Sequence, residues 1–122
     1  MANWKDVPDG TYRARAKEGV LTQSKDEKPM VVATLDLLDE EWKGVAMTWR
    51  GVLYGKTPEV SEKNIARTME SLRYMGWRGD DISRLDGITE NEVDVEIKRE
   101  KYKEEWEPKI KWINKSGAAK VG

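Results

Sequence analysis

The stretch TYRARAK (11–17) puts Arg13, Arg15 and Lys17 on one side of an extended chain and Tyr12, Ala14 and Ala16 on the other. Side chains alternate across a strand, so three cations on one face stand about 7 Å apart, close to the spacing of successive phosphates along a nucleic-acid strand. Arg50, Lys109 and Lys111 fall on the outer parity of two further extended segments. A set of this kind can hold a polyanion by charge. The competing account is a solvated face whose cations deter edge-to-edge strand pairing.

Aromatic residues supply a second interaction. Tyr54 continues the outer row of Ala46, Thr48 and Arg50, and Tyr102 points outward beside Lys109 and Lys111. Parity sends Trp106 inward, to the rim of the core, where it closes the core or stacks. An aromatic face contributes about 1–3 kcal/mol per stacked base, whatever the base, so Tyr54, Tyr102 and Trp106 are the stacking candidates. Trp49, in phase with Val45 and Met47, and Trp112, in phase with Ile110, read as core. Trp77, directly after Gly76, reads as a lock between helix and sheet. Glu104, Glu105 and Glu107 lie in the same stretch as Trp106 and would repel phosphate.

The composition removes other chemistries. There is no cysteine and no histidine, which excludes disulfides, Cys/His zinc sites, thiol nucleophiles and histidine triads. The net charge is −1 with 37% charged residues, so bulk charge does not draw the chain to nucleic acid and a local basic face is required. One enzymatic pattern remains. Glu96-x-Lys98, preceded by Asp86 and Asp94, has the residue types by which some nucleases hold Mg²⁺ and orient water. The motif is short, arises readily on a charged strand, and lacks the helices that accompany it in such nucleases. The expectation is a chain that is not an enzyme and needs neither metal nor cofactor.

These residues need a scaffold of short strands. Alternation over 11–17, a β-branched run over 30–38, and a third extended segment over 45–54 predict three strands. Thr57-Pro58-Glu59 then reads as a helix start, with Ile65, Met69, Leu72 and Met75 as its apolar stripe and Gly76 as its stop. Segments 92–100 and 108–113 predict two more strands, with Val93, Val95, Ile97, Ile110 and Trp112 inward. Pairing Ile97 with Ile110 and Val95 with Trp112 sets Glu96 opposite Lys111. The fold class is mainly β: a five-stranded OB-like barrel with one α-helix between strands 3 and 4. The expected organisation is a leader over 1–9, one domain over 10–115 and a flexible tail over 116–122. No apolar run approaches the roughly 20 residues of a membrane span, and the N-terminus has no signal-peptide pattern.

From PDGTYRARAKE (8–18) to KIKWINK (109–115), the chain resembles a family of bacteriophage single-stranded-DNA-binding proteins with an OB-fold. The resemblance is carried by the order and spacing of PDGTYRA, MGWRGDDISRLDG (75–87) and EVDVEIKREKY followed by KIKWI. It implies coating of exposed single strands in phage DNA replication or recombination. The implied partners are single-stranded DNA and replication or recombination proteins, in the host bacterial cytoplasm and without a membrane. The end of the chain departs from the family pattern: SGAAKVG (116–122) holds no acid, so the acidic tail that docks partners in many such proteins lacks its residues.

The leading expectation is therefore single-stranded-DNA binding without sequence preference. Arg13, Arg15, Lys17, Arg50, Lys109 and Lys111 would hold phosphates, and Tyr54, Tyr102 and Trp106 would stack bases. The alternative is an OB-like module that binds a protein, as a recombination adaptor or an inhibitor of a host protein. It is favoured by the near-neutral charge and the glutamates around Trp106. A Mg²⁺ nuclease ranks third.

Overall fold

The computed structural model describes residues 3–116 and, at Tyr102, the backbone alone. Strands β1 (Gly10–Gln23), β2 (Pro29–Leu37) and β3 (Ala46–Val52) precede helix α1 (Pro58–Met75), and β4 (Glu92–Tyr102) and β5 (Glu105–Lys115) follow it. Two 3₁₀ turns, Trp4–Asp6 and Glu40–Trp42, complete the chain path. The chain is mainly β, with one five-stranded sheet in the order β3-β2-β1-β4-β5 and antiparallel neighbours throughout. The expected barrel is not closed. Its two edges, β3 and β5, approach each other, but they share no hydrogen-bonded ladder among the described residues, and α1 packs against both.

β1 runs to Gln23, well past the predicted end at Lys17, because a bulge between Ala16 and Glu18 lets it bend. Its first half pairs with both β2 and β4, and its second half with β2 alone. Ala14 and Ala16 are buried as expected; the bulge then shifts the inward parity, so that Val20 is 56% exposed. Residues 3–9, expected as a separate leader, dock on the domain. Val7 is fully buried, and Arg99 donates to the Lys5 and Val7 carbonyls at 2.9 and 3.2 Å. The predicted tail lies outside the described residues from 117 onward.

α1 starts and stops where its sequence predicts. Thr57 Oγ1 accepts from the Val60 amide at 3.2 Å, Pro58 takes the first helical position, and Gly76 ends the helix at φ 125°. A Cβ at Gly76 would stand 2.3 Å from the Gly87 carbonyl oxygen, so conformation and space both call for glycine there. The buried face differs from the predicted stripe. Leu72 and Met75 are buried with Thr68 and Ser71, Met69 is half-buried, and Ile65 is exposed. The reason is the unpaired chain at and beyond the end of β3. Ser61 Oγ accepts from the Gly55 amide at 2.8 Å, while Asn64 Nδ2 and Thr68 Oγ1 donate to the Tyr54 and Val52 carbonyls at 2.7 and 2.9 Å. Polar residues at helical spacing thus supply the partners that an edge strand lacks.

The last hairpin departs most from its predicted register. Its turn is only Lys103-Glu104, both at positive φ, as a two-residue primed turn requires. Ile97 pairs with Ile110 as expected, but a bulge that inserts Lys111 on β5, opposite the Glu96–Ile97 step of β4, sets Trp112 opposite Glu96 and Ile113 opposite Val95. Ile113 therefore takes the core position predicted for Trp112, and the Trp112 indole is turned out, 42% exposed. Trp106 keeps the parity of the buried Pro108 and Ile110 but lies past the end of the core, at 62% exposure. Trp49 and Trp77 are buried as predicted, with Trp77 Nε1 donating to the Arg84 carbonyl at 2.9 Å.

Candidate nucleic-acid interface

The outer row of β1 does point to solvent, but every cation in it already faces a carboxylate. Arg13 Nε lies 2.8 Å from Asp94 Oδ1 and its Nη1 3.2 Å from Glu92 Oε1. Arg15 reaches Glu92 at 3.5 Å, and Lys17 reaches Asp36 at 3.5 Å. The register explains this: Arg13 stands opposite Asp94, and Arg15 opposite both Glu92 and Asp36. Hydrogen bonds to Asp94 and then to Glu92 raise the Arg13 pKa above its ordinary value. Asp94 is buried, so the Arg13 pair is part of the sheet's internal balance of charge. A phosphate approaching this row would have to displace carboxylates already in place.

A different surface gathers the remaining candidates. A groove of about 770 Å³ has Met30 and Val32 of β2 and Ala46, Thr48 and Arg50 of β3 among its lining residues. The turn from β1 to β2 lines it with Lys25 and Asp26, β5 contributes Glu107 and Lys109, and Trp4 and Tyr54 also line it. Arg50, Tyr54 and Lys109 thus line one groove, while Arg13, Arg15 and Lys17 do not. Among the described residues the Arg50 side chain forms no ion pair or hydrogen bond. The alternation of β3 produces this: Met47 and Trp49 go to the core, and Thr48 and Arg50 go outward. Two carboxylates, Asp26 and Glu107, share the lining with three cations, Lys25, Arg50 and Lys109.

Trp106 stands exposed two residues from Pro108, which also lines the groove. The Tyr102 side chain lies outside the described residues. Lys111 does not reach the groove; it pairs with Glu100 and lines a second, smaller cavity of about 270 Å³. This slot lies between the end of β3 (Trp49–Val52), α1 (Asn64, Arg67, Thr68, Ser71) and β5 (Lys111–Ile113). Arg50 lines both cavities. In the slot, the Arg67 guanidinium sits 4.8 Å from the centre of the Trp112 ring. Gly51 makes the close packing of helix and strand possible, since a Cβ there would stand 2.6 Å from Thr68 Cγ2.

Sequence reasoning missed Trp4, Lys25, Arg67 and Trp112. The polar turn TQSKDEKP signals the position of Lys25, but Arg67 and Trp112 meet only because of the β4–β5 bulge, which has no signature in the residues. Of the acids in the nuclease pattern, Asp94 pairs with Arg13, and Glu96 lies 4.0 Å from Lys98 of the same motif. Among the described residues no group of three or more acids is placed to hold a metal ion, and no helix is long and apolar enough to cross a membrane. Compared with known protein families and with curated proteins, the chain matches none.

Proposed function

We propose that the chain binds single-stranded DNA without sequence preference, in support of phage DNA replication or recombination, and that it is not an enzyme. The observation that carries this reading is the unpaired Arg50, set in a groove beside Tyr54, Lys25 and Lys109. A charged floor flanked by the exposed Trp4 and the half-buried Tyr54 suits a strand held by its phosphates, with bases stacked in any order. The strand order β3-β2-β1-β4-β5 supports an OB-like architecture, because it is the order obtained by opening a five-stranded barrel between β3 and β5. In that architecture single strands lie across strands 2 and 3 and the loops joining strands 1–2 and 4–5; this groove is lined by β2, β3, the β1–β2 turn and residues 107–109 of β5, which supports the reading. The Arg13, Arg15 and Lys17 row stays outside the reading, since its charges are matched within the sheet.

Titration of the intrinsic tryptophan fluorescence with oligo-dT tests it. Quenching at low salt that weakens steeply as salt rises is the expected result, with a slope of about −0.7 per phosphate contact. Absence of any quenching at low salt would sink the proposal.

A second reading is favoured by Trp106, which stands 62% exposed among Glu104, Glu105 and Glu107. An exposed indole in an acid-rich stretch suits a basic protein partner better than it suits phosphate. Recovery of a host protein from nuclease-treated lysate by the wild-type chain, but not by Trp106→Ala, would favour this reading.

A further inference from the structure

We propose that the strand track continues past Arg50 into the slot between α1 and β5, where Arg67 and Lys111 hold a phosphate and the Trp112 indole stacks a base. The proposal rests on the single-strand reading above and extends it to a part of the molecule outside the groove. Its first support is continuity. Arg50 lines both the groove and the slot, so a backbone held at its guanidinium has a route from one to the other.

The second support is charge. The slot is lined by Arg50, Arg67 and Lys111 with no carboxylate, whereas the groove carries Asp26 and Glu107. The one acid that engages these cations is Glu100 on Lys111, so among the described residues two of the three have no acid partner, whereas every cation of the β1 row has one. The third support is the ring. Trp112 is 42% exposed, and Arg67 sits against it at 4.8 Å. A guanidinium stacked on indole orients the ring and adds positive charge where a nucleotide would lie.

The walls of the slot are already fixed. Asn64 and Thr68 are held by hydrogen bonds to the backbone of residues 52–54, and Gly51 lets the helix sit close against β3. Little ordering is then needed on binding, which favours affinity. A polar, cation-lined slot beside an exposed aromatic ring suits a nucleotide better than an apolar protein anchor.

The test is fluorescence anisotropy with labelled oligo-dT of graded length, on the wild type, on Arg67→Ala/Trp112→Ala and on Arg78→Ala. Arg78 is exposed and lines neither cavity, so its variant should keep wild-type affinity. The double variant should match the wild type on oligomers short enough to fill only the groove. On longer ones it should bind at least about five-fold more weakly, with a salt slope reduced by about 0.7. Unfolding in urea should stay close to wild type, because both side chains are exposed. Equal affinity and slope at every length would overturn this inference and leave the groove reading standing, with Trp112 assigned to a protein contact. Failure of the wild type to bind any oligomer would overturn both.

Discussion

The outer face of β1 and the slot between α1 and β5 each present three cations. On β1, Arg13, Arg15 and Lys17 all lie within 3.5 Å of a carboxylate on a neighbouring strand. In the slot, only Lys111 has an acid partner, and Arg50 and Arg67 have none among the described residues. What separates the regions is topology. β1 sits in the middle of the sheet, so its side chains face residues of both neighbours, and Asp36 on β2 with Glu92 and Asp94 on β4 neutralises the row. β3 and β5 are edges, each with an outer side that no strand covers. Cations there have fewer cross-strand positions from which an acid could reach them. A basic row on a central strand is therefore weak grounds for a binding face, and a cation on an edge strand is better.

The largest effect that could break this contrast is on stability. Arg13→Ala removes the guanidinium partner of Asp94, a carboxylate only 3% exposed. Breaking a buried pair from one side costs about 3 kcal/mol, and that is the loss expected in urea unfolding. DNA affinity, measured where the variant is fully folded, should not change. A marked loss of affinity with little loss of stability would return the β1 row to the binding face.

Arg50→Ala should do the reverse. Its side chain is exposed and unpaired, so stability should stay within about 0.5 kcal/mol of wild type. A charge-assisted contact to phosphate is worth about 1.5–3 kcal/mol, so affinity for oligo-dT should fall by roughly ten-fold or more. Unchanged binding would leave the edge region with no better claim than β1.

These two substitutions show which parts of the molecule could be read from the residues. The strands, the helix start at Thr57-Pro58 and its stop at Gly76 were legible, because alternation, capping and glycine are local. The outward direction of Arg50 and the burial of Trp49 were legible for the same reason. The acids opposite Arg13 and Arg15 were not, since cross-strand partners depend on which strands adjoin. Trp112 was misassigned because a single inserted residue reverses every parity beyond it, and the buried Pro108 and Ile110 gave no warning of it. The helix face was misassigned because Ser61, Asn64 and Thr68 resemble surface residues until β3 is known to be an edge.

Thr68→Val sharpens the contrast at that edge. The substitution keeps the shape that fits against Gly51 and removes only the hydroxyl that donates to the Val52 carbonyl. If α1 supplies the partners that β3 lacks, the loss should be about 1–2 kcal/mol, the cost of leaving a partly buried acceptor unpaired. Amide exchange should rise selectively in residues 52–55 and along α1, with β1 and β4 unaffected. A loss below about 0.5 kcal/mol would mean that packing alone holds the helix to the edge.

The smallest expected effect concerns the acids of the groove. Glu107 lines it beside Lys109, and its half-buried carboxylate lies 3.9 Å from the exposed Lys5 Nζ. Glu107→Gln removes a charge that would repel phosphate, while the pair it breaks contributes at most about 1 kcal/mol. Affinity for oligo-dT should rise two- to three-fold at low salt, on the order of 0.5 kcal/mol, and the gain should fade as the Debye length shortens. Glu92→Gln is the matching change on β1. It removes an acid that pairs with both Arg13 and Arg15, so it should lower stability slightly and leave affinity where it was. A gain in affinity from Glu92→Gln equal to that from Glu107→Gln would mean that only the net charge of the chain matters, and that the edge of the sheet has no special standing.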